Sequence, residues 1–162
     1  QQIGPQTSSV GRLFDAVSSF LLGIRESSYE GEPAARLEAI CNLSATGEYP
    51  FPCCESAEGL RLDWRPLFRD LEGDLAKGLP TGMMAMKFHR AVATAVAQVA
   101  KRFAQCSVVL SGGCFQNRIL TELIAERLSP HPQPVGLPGV LPPNDGGLAA
   151  GQLAIALAKL RQ

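Results

Sequence analysis

Leu13, Val17, Phe20 and Leu21 recur three to four positions apart, and this spacing predicts a helix over residues 10–22. Ser8 or Ser9 can cap it, and Gly23 fits its stop. A second helix is expected over 32–42, with Pro33 acceptable in its first turn and acidic residues near its start. Residues 43–59 are rich in Pro, Gly and Ser and read as a loop with one short strand, while 60–64 alternates weakly, as an edge strand does. A short helix over 66–76 is followed by punctuation at 78–82, where Pro80 cannot continue a ladder. The longest periodic run is 83–103, with Met84, Phe88, Val92, Val96, Val99 and Phe103 along one face.

Beyond residue 106 the pattern changes. A short β-branched run at 107–110 ends in Ser111-Gly112-Gly113, and 117–128 reads as a helix. Residues 135–141 hold another strand, broken by Pro138 and Gly139, before a turn at 142–147 and a closing helix over 148–160. Strand, glycine turn and helix, taken twice, predict an α/β layer with a parallel pair of strands. The expected fold class is α/β, mainly helical over 1–106, with 107–162 carrying the strand–turn–helix units.

The length of 162 residues suits one domain or part of a larger one, and 46% apolar with 19% charged residues suits a packed core. Fifteen basic and fifteen acidic residues cancel, which leaves no footprint for nucleic acid. No apolar run approaches the roughly 20 residues that span a bilayer, and residues 1–7 lack the charged start and apolar middle of a leader. Five cysteines with no CxxC pair argue against zinc and for reduced thiols in a cytoplasmic protein. Cys53 and Cys54 adjoin in a proline-flanked stretch expected to be loop.

Gly112-Gly113 falls where a strand ends and a helix begins. The pair reads either as a simple tight turn or as a ligand turn, where glycine lets the backbone approach closely and the helix start favours an anion. Neither GxxxxGK nor GxGxxG is present. Asn144-Asp145-Gly146-Gly147 repeats the logic: Asp145 either caps the last helix or presents a carboxylate to a phosphate and a divalent metal. Two such turns at consecutive strand ends would face one crevice. Asp15, inside an apolar helix, either faces solvent or accepts hydrogen bonds from a ribose diol in a cleft. His89 reads as a partly buried helix residue, His131 as a loop residue between prolines, and Trp64 as core. Cys114 follows the glycine pair but has no neighbouring base in the sequence, which weighs against a nucleophile.

Three segments in order carry a resemblance. Thr7-Ser8-Ser9-Val10-Gly11-Arg12-Leu13-Phe14-Asp15-Ala16-Val17, followed by Ser28-Tyr29-Glu30-Gly31-Glu32, resembles the TSSxGRLFDAV…YEG segment of the HypF family. Leu110 to Arg118 is similar to the LSGGVFQNR segment of that family, and Leu141 to Gln152 to its PPNDGGLALGQ segment. The family resemblance covers nearly the whole chain and implies the later part of a transferase domain with an actin-like ATPase (ribonuclease H-like) fold. HypF proteins carbamoylate the C-terminal cysteine of the partner HypE for the cyanide ligands of nickel-iron hydrogenases, from carbamoyl phosphate and ATP through carbamoyl-adenylate.

Carried over by the resemblance, Asp15, Gly31 or Glu32, Gly112, Gly113 and Asn117 are expected to hold the nucleotide, and Asp145 to supply one ligand to a divalent metal. The family's HxxxH-type metal motif has no counterpart in this sequence, so the chain alone is expected to lack complete transferase activity. Cys114 replaces the usual small aliphatic residue. Rivals are the related tRNA threonylcarbamoyl transferases, carbamoyltransferases of small-molecule hydroxyls, and a non-catalytic docking module. A truncated sheet would also expose strand edges, and homodimerisation through them is a further expectation.

Overall fold

The computed structural model describes residues 7–57 and 59–161; residues 1–6, on which most of the leader reading rests, lie outside the described residues. Helix α1 is Val10–Leu22, as its periodicity predicts. The Ser9 hydroxyl accepts the Arg12 N–H at the start, and Gly23 ends the helix in the left-handed region by donating to the Ser19 carbonyl.

Helix α2 is Glu32–Ala39, three residues shorter than expected. The reason is competition for backbone: the Asn42 N–H donates to the Gly82 carbonyl at 2.9 Å, and the Asn42 side chain accepts the Ser44 N–H at 3.0 Å. Those bonds replace the ones a further helical turn would need. Ser18, fully buried on α1, donates its hydroxyl to the Pro33 carbonyl at 2.7 Å and so fastens the start of α2 to α1.

The short strand expected within 43–59 and the edge strand expected at 60–64 both form, and they pair as a hairpin. Strand β1 (Cys53–Ser56) pairs antiparallel with β2 (Gly59–Leu62), with Cys53 opposite Leu62 and Ser56 opposite Gly59. Cys53 and Cys54 are therefore strand residues whose side chains alternate across the ribbon, and both are free thiols. Helix α3 is Arg65–Ala76. Trp64, read as core, is 53% exposed: it sits at the entry to α3 with its ring edge-on to Phe68, centroids 5.6 Å apart.

Helix α4 runs Thr81–Arg102 and starts two residues before its expected position. The Pro80 carbonyl accepts the N–H groups of Met83 and Met84, so the proline opens the helix rather than interrupting the chain. Met84, Phe88 and Val92 on its expected face are buried, whereas Phe103 at the far end is exposed. The core of the first part of the chain is Phe14, Val17, Leu37, Leu67, Leu71 and Phe88, none more than 2% exposed. Burial of each such side chain contributes roughly 1.5–3 kcal/mol. Phe14 meets Phe88 edge-on at 4.8 Å and His89 at 5.2 Å; His89 is fully buried rather than partly so.

Strand β3 (Val108–Val109) pairs parallel with β4 (Val135–Gly136), across α5 (Arg118–Leu128). The parallel pair matches the expectation, but both strands are two residues long; Pro138, which has no N–H, cuts the second one short. Helix α6 (Leu148–Leu160) closes the chain. The fold is thus mixed α/β and helix-rich. It divides into two compact units, Gln1–Ala95 and Val96–Gln162, with the division inside α4. None of the described helices is long and apolar enough to cross a membrane.

Candidate functional site

Asp15, Gly31 and Glu32 belong to the first unit, and Gly112, Gly113, Asn117 and Asp145 to the second. Asp15 lies one turn before Ser18 on α1, near the bond that holds α2. Its Oδ2 takes the Arg12 guanidinium at 2.9 Å, and three quarters of the side chain is covered. The other oxygen carries no hydrogen bond among the described residues, so the carboxylate retains accepting capacity toward a diol.

Glu32 is buried, and its carboxylate is already engaged: Oε2 accepts the Ser28 N–H at 2.5 Å and Oε1 meets Arg36 at 2.6 Å. The Ser28 N–H foremost, with Arg36 adding to it, holds the carboxyl below its ordinary value although burial opposes. Its work is to close the 28–32 loop. Gly31, with φ of 84°, sits at the head of α2 at the surface of that loop, which makes its backbone the more available of the two for a ligand.

In the second unit Gly112 follows β3 with φ 102° and ψ 162°, a conformation open essentially to glycine alone. A one-turn 3-10 helix over Gly113–Gln116 leads into α5. Asn117 is buried and caps α5, its Oδ1 accepting the Leu120 N–H at 2.8 Å. Sequence reasoning missed this cap, although an asparagine just before an apolar-periodic run is its usual signal.

The second turn also differs from expectation in one respect. Asn144, not Asp145, supplies the side-chain bond, with its Oδ1 accepting the Gly146 N–H at 3.1 Å. This is an Asx turn, which asparagine makes two residues on. The residue at the head of α6 is Gly147, whose position admits no Cβ: one would lie 2.5 Å from the Pro142 carbonyl oxygen. Asp145 is left exposed, with its side chain unbonded among the described residues.

The two glycine turns are joined directly. The Gly112 N–H donates to the Pro143 carbonyl at 2.7 Å, so the turn after β3 and the turn before α6 form one edge. Gly112, Gly113 and the Asn144–Gly147 turn thus lie together, as their positions after consecutive strands imply. Asp145 is a hard oxygen donor of the kind magnesium or calcium accepts, but the described residues contain no cluster of three or more His, Cys, Asp or Glu side chains fit to hold a metal. Among the described residues Asp145 thus offers a metal a single ligand without a cluster around it.

Cys114 is half-buried beside the glycine pair, and His131 bonds through Nε2 to the Cys106 carbonyl at 2.9 Å.

Comparison with known proteins agrees with the resemblance. The family described as carbamoyltransferase, Kae1-like domain, second subdomain, matches residues 1–152. Carbamoyltransferase HypF of Synechocystis sp. is 36% identical over 159 residues, covering 97% of this chain and 20% of the relative. That of Rhodobacter capsulatus is 41% identical over 163 residues, covering 96% and 20%. A crystal structure of full-length HypF in the phosphate- and nucleotide-bound form superposes with a TM-score of 0.85 at 32% identity, over 96% of this chain and 21% of that one. The chain spans about a fifth of the length of these relatives. It belongs to the HypF carbamoyltransferase family, where it corresponds to the second subdomain of the Kae1-like domain.

Proposed function

We propose that this chain is the nucleotide-holding part of a carbamoyltransferase with an actin-like ATPase fold. The observation that carries this reading is the Gly112 N–H to Pro143 carbonyl bond, which makes one ligand-facing edge of two glycine turns. Backbone at such an edge approaches a phosphate without side-chain obstruction. In the first unit Asp15 would accept ribose hydroxyls through its unbonded oxygen and Gly31 would offer its backbone to the nucleoside; in the second, Gly112, Gly113 and Asn117 would offer the glycine edge and its cap to the nucleotide. Asp145 would give one oxygen to a divalent metal whose other ligands come from elsewhere in the protein. That metal would supply charge stabilisation on the phosphate of the leaving group.

The chemistry is carbamoyl transfer from carbamoyl-adenylate, made from carbamoyl phosphate and ATP, to a HypE-like acceptor thiolate in the cytoplasm. The residues of this chain act by positioning rather than by exchanging protons, since the edge they offer is built from glycine backbone and a capping amide. The chain by itself contributes one metal ligand and is expected not to turn over.

Calorimetric titration of ATP with magnesium into the chain tests the reading. Saturable binding is expected, weakened about tenfold or more, roughly 1.4 kcal/mol, by Asp15→Ala. Asn117→Ser keeps an N-cap oxygen and removes the carboxamide, so weakened binding in that variant would assign Asn117 a role beyond capping. Absence of binding by a folded chain would contradict the claim that these residues hold the nucleotide by themselves.

A further inference from the structure

The buried stripe of α1 is Phe14, Val17, Ser18 and Leu21, and Ser18 is its one polar member. Its hydroxyl is wholly removed from water and is compensated by the Pro33 carbonyl, which accepts it. Alanine would occupy the same position with no donor to satisfy. Among the described residues this is the one hydrogen bond between α1 and α2. The rest of their packing is apolar, with Val17, Leu21 and Leu37 all buried. Apolar packing has no direction and lets one helix slide along another, whereas a hydrogen bond fixes the register.

The bond falls between the two groups assigned to the ribose side. Asp15 stands one turn before Ser18 on α1, and Pro33 stands two residues after Gly31. The loop that carries Gly31 is fixed from within: the Gly31 carbonyl accepts the Ala35 N–H at 3.0 Å, and the Glu32 carboxylate accepts the Ser28 N–H. The Gly31 N–H has no acceptor among the described residues, and nothing lies within 4 Å of the place a Cβ would take. One oxygen of Asp15 and the N–H of Gly31 are therefore an open acceptor and an open donor, on two elements that Ser18 ties together. A hydroxyl both donates and accepts, so such a pair suits a diol.

We infer that Ser18 is a positioning residue for the ribose: its bond to Pro33 sets the spacing of Asp15 from Gly31, and that spacing makes the chain prefer ribonucleotides to 2′-deoxyribonucleotides. The inference rests on the nucleotide reading and adds to it the residue that makes the pair selective. Ser18 touches no ligand and acts through Asp15. The 2′-hydroxyl is one hydrogen bond among those a ribose makes, and a displacement of about 1 Å at the carboxylate is enough to lose it.

Calorimetric titration of the chain with ATP and with 2′-deoxy-ATP, each with magnesium, tests this as a ratio of two affinities, in which a loss of folded protein cancels. The wild-type chain is expected to bind ATP about tenfold or more tightly than the deoxy form. Ser18→Ala, and Ser18→Cys, which fills the space but donates weakly, should bring the ratio to about twofold or less, as Asp15→Ala does. In the Asp15→Ala background Ser18→Ala should change the ratio no further, because it acts through that carboxylate. Thr94→Ala removes a hydroxyl bond to Glu48 elsewhere in the same unit and should leave the ratio intact. A wild-type ratio near one, a ratio unmoved by Ser18→Ala, or one lowered as much by Thr94→Ala would overturn the positioning role and leave the nucleotide reading standing. If neither nucleotide binds the folded wild-type chain, both fall.

Discussion

His89 lies fully buried against Phe14, its Nδ1 2.8 Å from the Ala85 carbonyl and 3.4 Å from the Cys41 sulfur. The shorter approach assigns the ring proton to Nδ1, donating to Ala85. Burial pushes the imidazole below its ordinary 6.5, against opposing effects from the Ala85 bond and Glu38. Burial, with Glu38 nearby, pushes the Cys41 thiol up to about 12. Both groups stay neutral, so this pair is packing and not a thiolate–imidazolium dyad. Alkylation near pH 8 is therefore expected at the exposed Cys54 and Cys106, with Cys41 modified only on unfolding; early labelling of Cys41 in peptide mass spectra would contradict the assignment.

The same burial has a pH consequence. In the unfolded chain His89 takes up a proton as pH falls through 6.5, while in the folded chain it resists, so the unfolded state binds more protons in that window. Stability is fully present above that value and declines as pH drops below it. Urea midpoints should be lower at about pH 5.5 than at about pH 7.5. The depressed carboxyls, Glu32, Asp63 and Asp74, start from 4.5 or below and do not contribute there. A midpoint flat across this range would argue against a buried neutral imidazole. The sequence placed His89 on a helix and partly buried, but a single histidine on an apolar helix does not reveal that Phe14 and Cys41 pack against it.

At the scale of elements, α1 was readable because Ser9 and Gly23 punctuate a strong apolar spacing with local chemistry. The overrun of α2 arises because Asn42 takes a partner distant in sequence, Gly82, while both hairpin strands were legible and only their pairing, Cys53 with Leu62, was not. The glycine turns were legible as turns, and of the two open readings of Asp145 the structure removes the cap, which its side chain does not make. What the sequence did not disclose was the division of labour within them, where Asn117 and Asn144 do the capping. Two substitutions follow from that division. Asn117→Ala should cost about 1 kcal/mol of stability through the lost cap, and Asn117→Ser far less. Gly112→Ala should cost about 1–3 kcal/mol, because alanine cannot relax at φ 102° and ψ 162°. Thermal or urea unfolding reads both, and a silent Gly112→Ala would mean the turn is adaptable.

At the scale of the molecule, the chain is two compact units that between them hold the residues the family resemblance singles out. Its membership in the HypF family was legible from three motifs because they combine rare residues in fixed order. The exposure of its last helix was not, since the apolar spacing of α6 does not say whether the rest of the chain packs over it. The central claim is that these 162 residues supply the nucleotide edge of a carbamoyltransferase. The most direct test is carbamoyl transfer by Rhodobacter capsulatus HypF carrying this chain in place of its matching region. Activity should survive the exchange and fall by about tenfold or more with Asp15→Ala or Asp145→Ala. A folded chimera that is inactive, or one indifferent to both substitutions, would contradict the account.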